Sequence, residues 1–97
     1  MKPNIRIGYG VDVHQLAPGY QLWIGGKQLE APFGAVGHSD ADVLLHAICD
    51  ALLGALTLRD IGFHFSDQDQ QYKGIDSKIL LKRVFELIQK QGYGIVN

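Results

Sequence analysis

Positions 43 to 55 constrain the fold more than any other part of this sequence. Val43, Leu44, Ala47, Ile48, Ala51, Leu52 and Ala55 recur at helical spacing, and apolar residues cover most of the circumference. A helix of that kind is predicted to be largely buried. Asp42, His46 and Asp50 nevertheless recur every fourth position and form one narrow polar stripe along it. Buried polar groups need partners, so the rest of the chain must bring polar groups to that stripe. Ser39 or Asp40 is the predicted cap of the helix.

The flanking segments supply candidates. Ile5, Ile7, Tyr9, Val11 and Val13 alternate with small or polar residues, which predicts a strand over about 5–14. Gln21-Leu22-Trp23-Ile24 and Lys27-Gln28-Leu29-Glu30 flank Gly25-Gly26, the pattern of a hairpin. Residues 58–74 read as a long connection without regular structure, a kind usually functional or disordered. A second helix is expected from Asp76 or Ser77 to about Gln91, with Ile79, Leu80, Val84, Leu87 and Ile88 inward and Gly92 as its C-terminal cap. Tyr93-Gly94-Ile95-Val96 then begins another strand.

Ninety-seven residues accommodate one domain, and a formal charge of −1 without long like-charged blocks excludes an electrostatic nucleic-acid binder. No apolar run is long enough to cross a bilayer, the best being interrupted by Asp42, His46 and Asp50. A single cysteine, Cys49, cannot make an internal disulfide, and the N-terminus lacks the apolar run of a signal peptide. A reducing, cytoplasmic compartment is therefore expected.

Asp12-x-His14 is the sharpest local signal. The two-residue period of a strand projects both side chains from one face, and with His46 they would make a carboxylate and two imidazoles, a set that leaves an open position on a divalent metal. Asp42 or Asp50, one turn either side of His46, could orient its ring. The alternative is a surface Asp/His pair beside a core histidine bonded to backbone. His38-Ser39-Asp40 precedes the long helix, where first-turn amides favour a phosphate; the alternative there is a plain cap. Gly8-Tyr9-Gly10 lacks the following helix of a dinucleotide turn. Asp60-Ile61-Gly62-Phe63-His64-Phe65-Ser66-Asp67-Gln68-Asp69 gathers carboxylates and aromatics, either to hold polar groups of a substrate or as a solvated turn. Cys49 reads as a small buried hydrophobe and Trp23 as core or interface.

Taken together, Gly8-x-Gly10-x-Asp12-Val13-His14, Ile24-Gly25-Gly26, His38-Ser39-Asp40-x-Asp42-x-x-x-His46, Asp50-Ala51-Leu52-Leu53-Gly54, Asp60-Ile61-Gly62 and Tyr72-Lys73-Gly74-x-Asp76-Ser77 follow one another in order. This series resembles the 2-C-methyl-D-erythritol 2,4-cyclodiphosphate synthase family from Arg6 to Gly94. The resemblance implies an α+β fold, a mixed β-sheet packed on one side by two main α-helices, in a homotrimer with active sites between subunits. It implies a metal-dependent phosphorus–oxygen lyase of non-mevalonate isoprenoid biosynthesis. Such an enzyme cyclises 4-diphosphocytidyl-2-C-methyl-D-erythritol 2-phosphate with release of CMP.

Carried over by motif, Asp12, His14 and His46 hold Zn2+ or Mn2+, and a second, Mg2+-type ion sits on the diphosphate. His38 stabilises the transition state. Asp12, Val13, His14, His38, Ser39, Asp60, Ile61, Gly62, Phe65, Ser66, Asp67, Gln68 and Asp69 bind substrate. Ser66 stands where the family usually has proline. The resemblance covers about the first three-fifths of family members, so residues 1–97 are expected to be a single, C-terminally incomplete domain without the cytidine pocket. Two other readings compete: an inactive metal- and phosphate-binding fragment, and a generic zinc phosphohydrolase.

Overall fold

Gly25 and Gly26 both adopt positive φ, 66° and 82°, the requirement of a tight two-residue hairpin turn. Leu22–Ile24 (β2) and Lys27–Leu29 (β3) accordingly pair antiparallel, Ile24 opposite Lys27. A second antiparallel pair joins Leu16–Pro18 (β1) to Phe33–Ala35 (β4), with Leu16 opposite Ala35. The computed structural model describes residues 4–37, 39–66 and 68–97. Three helices follow the strands: Val43–Ala55 (α1), the short Ile61–His64 (α2) and Ser77–Lys90 (α3), with a 3-10 turn at Gln70–Tyr72 between the last two. The α+β class holds. The described strands form two separate antiparallel pairs, however, where one mixed sheet was expected.

The reason lies in two segments predicted as strands. Neither 5–14 nor 93–96 belongs to a hydrogen-bonded ladder among the described residues. Instead, 5–14 lies along α1. Arg6 Nη1 reaches the Ala55 carbonyl at 3.5 Å. A Cβ on Gly8 would overlap the carbonyl oxygen of Ala51, and one on Gly10 that of Ala47. Two residues of extended chain advance about 6.6 Å and four helical residues about 6 Å, so the two elements stay in step in opposite directions. Even-numbered residues thus face the helix, and Ile5, Ile7, Tyr9, Val11 and Val13 are left exposed.

The core is the seam between α1 and α3, where Cys49 and Leu53 meet Val84 and Ile88, each pair one helical turn apart. Leu80 is also buried, whereas Ile79 is exposed and Leu87 only partly covered. α1 is less enclosed than its composition predicts: Leu44 and Ile48 remain exposed on one flank. Asp76 caps α3 by accepting from Lys78 N, and Gly92 follows the helix at φ 84°. The connection 58–74 carries regular structure after all, because Asp60 caps α2 through Phe63 N and Asp69 caps the 3-10 turn through Gln71 N.

Candidate metal centre

α1 is capped by Asp42, not by Ser39 or Asp40. Asp42 is wholly buried, and its carboxylate accepts from Leu45 N at 3.0 Å, Gly25 N at 2.9 Å and Gly26 N at 2.6 Å. The hairpin turn is the polar partner that this end of the stripe required. It also means that the positive end of α1 is met by the protein's own carboxylate. Asp50, at the other end of the stripe, accepts from Ile61 N at 2.9 Å and so ties α2 to α1. Both aspartates anchor other elements, and neither supplies the bonds described for the His46 ring, contrary to the expectation that one of them orients it.

His46 is buried between them, and its two ring nitrogens face different neighbours. Nδ1 lies 3.3 Å from Asp12 Oδ2, which in turn lies 3.0 Å from His14 Nδ1. Asp12 and His14 arrive there because the even-numbered face of 5–14 packs on α1, with Gly8 and Gly10 permitting the close approach. Donor atoms on a tetrahedral ion at zinc–nitrogen distances sit about 3.3 Å apart, and the three side chains offer atoms within 4.8 Å of one another. Asp12 Oδ2 and His14 Nδ1 are buried without a hydrogen-bond partner among the described residues. Two buried polar atoms without hydrogen bonds beside a third are costly unless a cation satisfies them, and the three side chains could together hold a metal ion.

The Nε2 side of His46 is equally defined. Ser77 Oγ lies 2.8 Å and Ser39 Oγ 3.2 Å from Nε2. Ser77 is fully buried, donates its backbone N–H to Asp40 Oδ2 at 2.9 Å, and donates its hydroxyl to Asp40 Oδ1. Asp40 Oδ1 also accepts from Asp42 N at 3.1 Å. Between the two aspartates, Ala41 takes φ 57°, a left-handed conformation rare for a residue with a Cβ, which turns Asp40 toward α3 and Asp42 toward the hairpin. Sequence reasoning placed Ser77 at the start of the second helix and missed this contact. The Asp76-Ser77 pair at a helix start was the available signal, but its partner lies 31 residues away.

Several of the remaining expected site residues lie on the loop that Asp50 anchors. Asp60, Ile61 and Gly62 form the start of α2. Phe65 packs edge-on against Tyr72 with ring centroids 5.6 Å apart. Ser66 Oγ accepts from Gln68 N at 3.1 Å, and Asp69 also accepts from Gln71 Nε2 at 2.7 Å. Val13 is exposed between the two ligand candidates of its segment. His38 and Asp67 lie outside the described residues. His46 and Asp50 are one turn apart on α1, about 6 Å along its axis, so one helix positions both the metal cluster and the root of the acidic loop. Trp23 is half-buried, its indole N–H 3.4 Å from Gln21 Oε1. Cys49 is fully buried, its thiol pushed up to about 12 by burial and, secondarily, by Asp50. No helix among the described residues is long and apolar enough to cross a membrane.

A family model described as the YgbB family matches residues 5–97. The 2-C-methyl-D-erythritol 2,4-cyclodiphosphate synthase of Porphyromonas gingivalis strain W83 is 66% identical over 97 residues, all of this chain and 60% of that protein. The synthase of the same name from Bacteroides thetaiotaomicron is 61% identical over 94 residues, 97% of this chain and 59% of its own length. A solved 2C-methyl-D-erythritol-2,4-cyclodiphosphate synthase superposes with a TM-score of 0.84 at 44% identity, covering 90% of this chain and 58% of the other. A Plasmodium falciparum IspF in complex with CDP gives 0.75 at 35% identity, over 95% of this chain and 55% of the other. The chain thus spans about 60% of the length of the curated relatives it matches.

Proposed function

The chain belongs to the YgbB family, and from that membership we propose that it acts in a 2-C-methyl-D-erythritol 2,4-cyclodiphosphate synthase. The reaction is cyclisation of 4-diphosphocytidyl-2-C-methyl-D-erythritol 2-phosphate with release of CMP. The observation that carries the reading is the convergence of Asp12, His14 and His46, from two segments distant in sequence, with Asp12 Oδ2 and His14 Nδ1 buried and without a hydrogen-bond partner among the described residues. In this reading they would hold Zn2+ or Mn2+, and a second, Mg2+-type ion would be expected with the diphosphate. When bound, the first ion supplies Lewis acidity and neutralises charge on a phosphate oxygen.

The chain's own residues position what reacts. Cyclising a tethered phosphate asks chiefly that the two phosphorus centres be aligned and their charge balanced. Ser39, in contact with His46, contributes a hydroxyl to the phosphate, and His38 beside it stabilises the transition state. Asp60, Ile61, Gly62 and the stretch from Phe65 to Asp69 surround the methylerythritol portion, and the Asp50 bond to Ile61 N fixes the start of α2. The family assembly is a homotrimer with each active site shared between subunits, in the cytoplasm.

The test is to supply the diphosphocytidyl substrate to the intact, zinc-loaded protein and follow CMP by chromatography and product by phosphorus NMR. A cyclic diphosphate is expected. A linear product would instead assign a zinc phosphohydrolase, and retained zinc without turnover a binding role only. A His46→Ala protein should lose both metal and turnover; stoichiometric zinc in that variant would reject the ligand assignment.

A further inference from the structure

The hydrogen-bond geometry around Ser77 determines which nitrogen of His46 carries its proton. A serine hydroxyl has one proton to donate. Asp40, ionised, is acceptor-only, and Ser77 Oγ makes its shortest contact with Asp40 Oδ1. The proton of Ser77 is therefore committed to Asp40, and toward His46 its oxygen presents only lone pairs. At 2.8 Å, His46 Nε2 must be the donor. Nδ1 then carries a lone pair, and it is Nδ1 that lies 3.3 Å from Asp12 Oδ2 in the metal cluster.

We propose that Asp40 and Ser77 form a relay that locks His46 in the Nε2–H tautomer and presents its Nδ1 lone pair to the metal, making both positioning residues for metal loading. This inference rests on the metal-site reading above. Carboxylates commonly fix metal-binding imidazoles by direct contact; here the carboxylate acts through a buried hydroxyl supplied by α3. The backbone secures both ends, since Ser77 N–H and Asp42 N–H each donate to Asp40. Ser77 has no exposed surface, so water does not compete for its hydroxyl. Ser39 Oγ accepts from Ala41 N at 3.3 Å. With His46 Nε2 also donating toward it, the hydroxyl proton of Ser39 is left for a substrate oxygen. The α1–α3 seam thereby couples the core to the ligand set: the start of α3 has to be in place for His46 to face the metal correctly.

Two measurements on the intact protein test this. In the zinc-loaded protein, imidazole nitrogen NMR should show His46 protonated at Nε2 and bare of a proton at Nδ1. A Ser77→Ala protein should show a mixture of tautomers and bind zinc about 10- to 100-fold more weakly in a chelator competition. Its helical circular dichroism should be unchanged, and Ser77→Thr should restore both readouts. An Nδ1–H resonance in the wild type overturns the relay, and that measurement stands even if Ser77→Ala fails to fold. Zinc affinity and tautomer both unchanged in a folded Ser77→Ala protein overturn it as well. Wild-type protein that binds no zinc would refute the metal reading, whereas bound zinc with an Nδ1–H on His46 would refute the relay alone.

Discussion

Gly10 shows how much one hydrogen atom decides in this site. A methyl group there would run into the backbone carbonyl of Ala47, which cannot rotate away as a side chain could, so the whole 5–14 segment would lift from α1. Gly10→Ala is expected to destabilise the protein by about 1–3 kcal/mol and to weaken zinc binding, because Asp12 and His14 ride on the displaced segment. Urea unfolding and a zinc titration check the two effects. Cys49 makes a prediction of a different kind. Its thiol is pushed up from the ordinary 9.0 to about 12 in the folded protein, chiefly by burial. A raised folded value means that the native state holds the proton more tightly. The contribution is therefore complete below pH 9.0 and lost as pH rises from there toward about 12. Denaturant unfolding over this window should show the fall in the wild type and less of it in Cys49→Ala. An equal slope in both would contradict the assignment.

At the scale of elements, α1 is the organising rod. Its polar stripe touches the hairpin through Asp42, Asp12 and α3 through His46, and α2 through Asp50. Asp42→Ala removes the acceptor for three backbone N–H groups, two of them in the hairpin turn. Lost capping and unsatisfied donors should together cost about 2–4 kcal/mol. Hydrogen exchange at Gly25 and Gly26 should accelerate selectively, and unaltered protection at those amides would show that the hairpin docks by other means. The short α2 is a similar case: four residues do not sustain a helix alone, and Ile61–His64 is held by Asp60, by Asp50 and by the ring nitrogen of His64 donating to the Leu58 carbonyl at 2.6 Å.

The whole molecule is more open than its length requires. A compact chain of this size has a radius of gyration near 12.5 Å and an accessible surface near 5,500 Å². This one has 14.4 Å and 6906 Å². The excess is partly apolar: the odd-numbered residues of 5–13, Leu44 and Ile48 on α1, and Ile95 and Val96 all face solvent. Uncovered apolar surface is unfavourable at about 25 cal/mol per Å². The 97-residue chain by itself is therefore expected to bind a hydrophobic dye and to sediment as more than a monomer. A dye-silent monomer with a sharp thermal transition would contradict that expectation.

What the sequence determined by itself was local chemistry with a period: the α1 stripe, the Gly25-Gly26 hairpin, the start and stop of α3, and the shared face of Asp12 and His14. Helical and strand periods convert spacing directly into shared faces, so these could be read without a partner. Tertiary structure decided whatever depended on which element meets which. It laid 5–14 on α1 rather than in a ladder, because Gly8 and Gly10 make helix contact possible where a strand needs a bonded neighbour. It also assigned Asp42 and Asp50 to the hairpin and α2, leaving the Nε2 side of His46 to Ser77 and Asp40. A carboxylate and a hydroxyl 37 residues apart carry no mutual signature in sequence, since only the packing of α3 on α1 brings them within hydrogen-bonding reach.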